Sequence, residues 1–130
     1  MMFTKKVIDI MTRDVITVTP DIDVVCAFEK LMKYKISSLP VIDNNKLVGI
    51  ITATDVGHNL VLDKYELGTS VGEIMICDVI TISPEDTVEK AILTMKNSNE
   101  SSGILNQLPV VDDGNLIGII SDGDIIQKIL

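Results

Sequence analysis

Aromatic residues are nearly missing from this chain, with two Phe, two Tyr and no Trp among 130 residues. Bases of single-stranded nucleic acid stack on aromatic platforms, and so few rings cannot supply them. Positive charge is scarce as well. Eleven Lys and Arg face 19 Asp and Glu, the formal net charge is -8, and Arg13 is the one arginine. A surface tracking a phosphate backbone would be opposed by the protein's own field, so no nucleic-acid partner is expected. Cys26 and Cys77 stand in no metal-ligating or redox spacing and are expected to be inert thiols in a reducing compartment. No apolar run reaches the roughly 18 residues of a membrane span and no signal-peptide pattern opens the chain. The expectation is a cytoplasmic protein making no membrane contact of its own. Catalytic patterns are missing too. His58 is the only histidine and adjoins no Cys or Ser in a usable pattern, "GIISDG" is not the Gly-x-Ser-x-Gly nucleophile turn, and "SDGD" lacks the spacing of a calcium loop. The chain is expected to be no enzyme, to need no cofactor and to hold no metal.

What the chain does have is aliphatic residues and a repeat. Apolar residues make up 46% of it, nearly all Ile, Val, Leu, Met and Ala, enough for a core without a disulfide or metal. "IMTRDVITVTP" (10–20) laid over "IMICDVITISP" (74–84) gives seven identities in eleven at a shift of 64. "LPVIDNNKLVGIITATDV" (39–56) over "LPVVDDGNLIGIISDGDI" (108–125) gives nine in eighteen at a shift of 69. The chain is therefore a tandem duplication, and the change of shift places an insertion of five residues in the second copy within "NSNESSG" (97–103), which reads as loop. The boundaries predicted are a first copy with its N-terminal segment over 1–62, a linker over 63–70, and a second copy over 71–130.

Each copy reads as strand, helix, strand, strand, helix. "VITV" and "VITI" are short β-branched runs ended by a Pro two residues later. Asp21 and Asp23, then Asp86 and Thr87, are helix N-cap types, with Glu89 in capping-box spacing from Asp86. The next helices carry Val24, Ala27, Phe28, Leu31 and Met32, and Val88, Ala91, Ile92 and Met95, at three-and-four spacing. Asn44-Asn45 and Asp113-Gly114 each join two strands as a tight hairpin. A second helix opens near Asp55 or Asp124, lined by Val56, Leu60 and Val61 or by Ile125, Ile126, Ile129 and Leu130. A unit of about 55 residues has too little core to stand comfortably alone. The fold class predicted is α/β of the α+β kind, two repeats of a three-stranded sheet with two helices, packed as a pseudo-twofold pair.

The doubled pattern "IMTRDVITVTP…LPVID…KLVGIITATDV" resembles a tandem pair of cystathionine-β-synthase (CBS) domains, a Bateman module, over about residues 7–60 and 71–130. The resemblance implies a regulatory, ligand-sensing module. It places adenosine-containing ligands such as AMP, ADP, ATP or S-adenosylmethionine in clefts between the two copies. The Asp of Gly-x-x-Thr/Ser-x-x-Asp would take the ribose hydroxyls, which suits an acceptor-only carboxylate. Amides at the helix start would help hold an anion. By that similarity a first cleft uses Thr52, Thr54 and Asp55, closed by Val79, Ile80, Gln107 and Leu108. A second uses Ser121 and Asp124, closed by Thr12, Val15, Ile16, Ile36 and Ser37. The apolar members would sandwich adenine, and their backbone groups would read its edge.

The two sets differ, since Ile76 replaces Thr12, Gly123 replaces Thr54 and Asn106 replaces Ser37, so unequal affinity is expected. Cations for a phosphate are few: Arg13, Lys33, Lys35 and Lys128. S-adenosylmethionine, adenosine or a singly phosphorylated nucleotide therefore suits the acidic chain better than ATP. Two plainer readings stand beside these. Asp55 and Asp124 could serve as helix caps alone, and Gly49 and Gly118 could admit a packed neighbour rather than a nucleotide. The competing function is a structural dimerisation or interaction module with empty clefts. Either way a homodimer is expected, read by an effector protein or by a fused domain outside this chain.

Overall fold

The structure is a computed structural model that describes residues 5–62, 68–97 and 106–129. In chain order the elements are α1 (Val7–Ile10), α2 (Val24–Tyr34), β1 (Ser38–Asp43), β2 (Lys46–Thr52), α3 (Ala53–Val61), α4 (Val71–Ile74), α5 (Val88–Asn97), β3 (Gln107–Asp112), β4 (Asn115–Ser121) and α6 (Asp122–Lys128). The fold is mixed α and β. The five-residue insertion, save Asn97, and most of the linker fall outside the described residues.

Contacts gather the chain into two compact units, Ile16–Val79 and Met1–Val15 with Ile80–Leu130. They cut across the sequence repeats. The short helix that opens each copy belongs to the unit built on the other copy's hairpin, α1 with β3 and β4, α4 with β1 and β2. Each unit has its own aliphatic core. In one, Val24, Ala27 and Leu31 of α2 pack with Leu39, Val41, Ile51, Val56 and Val71. In the other, Val88, Ala91 and Met95 of α5 pack with Val7, Ile10, Leu108, Val110, Ile120 and Ile125. The buried stripes are narrower than the helical periodicity suggests, because Phe28, Met32, Val61 and Ile126 lie on their flanks and are exposed.

Both hairpins turn as their sequences require. Asn44 and Asn45 have φ of 51° and 67°, Asp113 and Gly114 of 52° and 82°, the two left-handed residues that match the twist of flanking strands. Caps fall at Asp23, whose carboxylate accepts from Val25 N at 2.7 Å, and at Thr87, whose hydroxyl accepts from Lys90 N at 3.1 Å. Glu89 is thus not in a capping box with Asp86. The Asp86 carboxylate instead accepts from Ser83 N at 3.0 Å and pairs with Lys90 at 3.2 Å.

The first strand expected in each copy is reduced to a single bridging residue. Val18 bridges parallel to Val41, and Ile82 to Val110. The bonds are Val18 N to Pro40 O (3.1 Å) and Ile42 N to Val18 O (2.9 Å), with Ile82 N to Pro109 O (3.0 Å) and Val111 N to Ile82 O (2.9 Å) in the other unit. The chain's four prolines explain the stop. Extending the first ladder either way needs an N–H from residue 40 or 20, and extending the second needs one from 109 or 84; all four are Pro. Among the described residues the carbonyls of Ile16 and Ile80 consequently have no backbone partner.

On the far strand of each hairpin a second segment closes in. Ile76 bridges antiparallel to Ile50, and Thr12 to Ile119. The approach is close enough that a Cβ on Gly49 would lie 2.6 Å from Met75 Sδ and 3.0 Å from Ile76 O. One on Gly118 would lie 2.7 Å from Met11 Sδ and 2.9 Å from Thr12 O. The two glycines therefore admit packed chain.

Candidate functional site

Each unit carries one acid at the junction of its second strand and following helix. β2 ends at Thr52, which caps α3: its hydroxyl oxygen accepts from Asp55 N at 3.1 Å and its O–H lies 2.8 Å from Asp55 Oδ2. Ser37 O accepts from Ala53 N at 2.8 Å, tying the segment before β1 to this junction. Ser121 caps α6 in the same way, accepting from Asp124 N at 3.0 Å, while Ser121 N donates to Asp124 Oδ2 at 3.0 Å. Asn106 O accepts from Asp122 N at 2.9 Å, matching the Ser37 contact. The caps are thus the hydroxyls, and the acids stand three residues on. Of the helix-start amides beside the acids, expected to help hold an anion, those of Ala53, Asp55, Asp122, Gly123 and Asp124 are already donated within the junctions.

The surroundings of the two carboxylates are unequal. Asp124 is 8% exposed and Oδ1 accepts from Thr12 Oγ1 at 3.0 Å across 112 residues of sequence. Lys128, one turn along α6, puts Nζ 3.3 Å from the same oxygen and 2.9 Å from Ile10 O. Asp55 is half-buried, and among the described residues its carboxylate meets one side chain, that of Thr52. Ile76 stands at the position equivalent to Thr12, 44% exposed, and Asn59 at the position equivalent to Lys128.

The residues expected in each cleft are divided between the units. Thr52, Thr54, Asp55 and Val79 fall in one, with Ile16, Ile36 and Ser37; Thr12, Val15, Ser121 and Asp124 fall in the other, with Ile80, Gln107 and Leu108. Leu108 is fully buried in its core, so only its backbone is open to another role. Of the four candidate cations, Lys128 alone sits on one of the acids. Arg13 donates to Ile8 O at 3.4 Å, Lys33 lies over the Tyr34 ring, and Lys35 is the left-handed residue ending α2. Lys128 is among the cations read from the sequence, helical spacing ties it to Asp124, and the same spacing from Asp55 leads to Asn59. Among the described residues no cluster of His, Cys, Asp and Glu could hold a metal, and no helix is long and apolar enough to cross a membrane.

Known proteins are similar to this chain in sequence and in fold. The family model for the CBS domain matches twice, over residues 7–61 and 71–130. An inosine-5'-monophosphate dehydrogenase of Methanocaldococcus jannaschii is 41% identical over 126 residues, covering 95% of this chain and 23% of the relative. The chain thus spans about a quarter of that protein. The CBS domain pair of protein MJ0100, solved with 5'-methylthioadenosine and S-adenosyl-L-methionine, superposes with a TM-score of 0.79 at 31% identity, covering 95% of this chain and 94% of that one. The protein CBSX2, solved with AMP, superposes at 0.79 and 30% identity with the same coverages.

Proposed function

We propose, from the premise that this chain belongs to the CBS domain family and carries that domain twice, that it is a regulatory module sensing adenosine-containing ligands. The carrying observation is the repeated junction, in which a capping hydroxyl and an acid stand side by side at the end of the second strand. A carboxylate there can accept from both hydroxyls of a ribose, and such charge-assisted bonds are worth about 1.5–3 kcal/mol each net. The proline-stopped ladders support a role for the backbone in reading adenine, since they free the Ile16 and Ile80 carbonyls. The first ligand set is Thr52, Thr54, Asp55, Val79, Ile80, Gln107 and Leu108, and the second is Thr12, Val15, Ile16, Ile36, Ser37, Ser121 and Asp124. Relatives solved with AMP, or with methylthioadenosine and S-adenosylmethionine, support that ligand class. An effector protein or a fused domain would read the ligand-biased arrangement, which requires differential affinity for two states.

A thermal-shift panel of AMP, ADP, ATP, S-adenosylmethionine and methylthioadenosine tests this. Ligand at about 100 times its dissociation constant adds roughly 2.7 kcal/mol of stability. Asp55→Ala and Asp124→Ala should each weaken one binding component by about ten- to a hundredfold. No shift with any member of the panel refutes the reading.

Exposed apolar side chains favour a second reading, an interaction module that pairs with its own copy. Met32 of α2, Val61 of α3, Leu93 of α5 and Ile126 of α6 are between 46% and 77% exposed. Sedimentation of the unliganded chain as a monomer at micromolar concentration would count against it.

A further inference from the structure

The two acid junctions share a backbone and differ in the side chains that meet the acid. Asp124 accepts from Thr12 Oγ1 (3.0 Å) and Ser121 N (3.0 Å), and Lys128 Nζ, 3.3 Å away, supplies a full countercharge. Lys128 is itself anchored on Ile10 O at 2.9 Å. At Asp55 the same two positions are filled by Ile76, which has no hydroxyl to give, and by Asn59, which has no charge. Asn59 is 8% exposed, and its Oδ1 has no hydrogen-bond partner among the described residues. At one junction a lysine meets the acid directly, with Asp122 as a second, exposed carboxylate in the same first turn. The other is acceptor-rich, and among the described residues no cation meets Asp55.

A ligand that seats two hydroxyls on Asp124 must displace the Thr12 hydroxyl and compete with Lys128 for the carboxylate. A phosphate on that ligand can take over the released ammonium, because Nζ of a lysine is a compact charge with three donors on a flexible stem. A neutral nucleoside offers the ammonium nothing in return. At Asp55 no such exchange arises, and an uncharged or cationic ligand adds donors where acceptors are in excess. We infer that Lys128 and Asn59 set the ligand class of the two junctions: phosphate-bearing adenosine ligands at Asp124, and neutral or cationic ones at Asp55. This rests on the adenosine-sensing reading above.

The test isolates one junction at a time in the full chain. In Asp55→Ala, calorimetric titration with AMP and with adenosine measures the preference of the Asp124 junction. AMP is expected to bind at least about tenfold tighter, the scale of one charge-assisted bond. Adding Lys128→Asn, the residue of the other copy, should remove most of that preference, and Lys128→Arg should keep it. In Asp124→Ala, Asn59→Lys should create an AMP preference that Asn59 does not give, so the inference is testable even if position 128 tolerates no change. A preference left unaltered by Lys128→Asn and by Asn59→Lys overturns the inference while the sensing reading stands. Binding of neither ligand to the unmodified chain overturns the inference, and the sensing reading falls with it only when the whole thermal-shift panel gives no shift.

Discussion

Gly118→Ala sets two effects of opposite sign against each other. Its φ is not in the left-handed range, so alanine fits the backbone, and the narrower unfolded ensemble should stabilise the protein by about 0.4–1 kcal/mol. Against this, the new Cβ would stand 2.9 Å from Thr12 O and 2.7 Å from Met11 Sδ. The sulfur ends a flexible side chain and can turn away. The carbonyl cannot, because it accepts from Ile119 N at 2.9 Å while Thr12 N donates to Ile119 O at 2.8 Å. Forcing a methyl into packed backbone costs about 1–3 kcal/mol, and losing the bridge would add about 1 kcal/mol per bond. With one of these two bonds lost the clash wins, and a net loss of about 1–4 kcal/mol is expected in urea unfolding. Gly57→Ala, in α3, is the control: a Cβ there would meet nothing within 4 Å, and a gain of about 0.5–1 kcal/mol is expected from helix propensity. A Gly118→Ala protein as stable as the unmodified chain would refute the close-approach account of this residue.

Leu31→Ala should cost about 2–5 kcal/mol in the same assay, because Leu31 is fully buried in an aliphatic core. Asp21 provides a pH prediction. The Thr19 hydroxyl donates to its carboxylate, and with a backbone hydrogen bond holds its pKa below the ordinary aspartate value. A lowered folded-state pKa means that this contribution is present at neutral pH and is lost as pH falls through the folded value. An NMR titration should find the Asp21 midpoint low, and Thr19→Val should move it up; an unmoved midpoint would refute the assignment of cause.

Local signals carried most of the fold. Asn44-Asn45 and Asp113-Gly114 announce their turns because left-handed pairs are demanded by the hairpin itself. The short helices α1 and α4 escaped because four residues are too few for a period to show, although Ser70 and Glu73 stand in capping spacing and Ser70 N does donate to Glu73 at 2.6 Å. Thr87 rather than Asp86 caps α5 because the start of the helix is fixed by where the preceding chain leaves the hairpin, which residue types alone do not reveal. The contact of Thr12 with Asp124 spans 112 residues. No periodicity reaches that far; only the likeness to CBS pairs pointed to it.

The strand that shrank to one residue shows best why the site and the fold were legible to different depths. "VITV" and "VITI" have the composition of strands, and taken alone should extend. Their partners Pro40–Ile42 and Pro109–Val111 lie over 20 residues away in sequence, and the missing N–H groups of the two prolines there, with Pro20 and Pro84 at the other end, stop each ladder at one bridge. Proline in this chain therefore acts across the sheet rather than along the chain. The groups that fix the scaffold, Gly49, Gly118 and the four prolines, act by shape or by a missing donor and carry no charge. Positions 12 and 76, 59 and 128 could thus diverge in polarity without disturbing the backbone that presents Asp55 and Asp124. That separation allows one duplicated scaffold to hold two acids in unequal electrostatic settings.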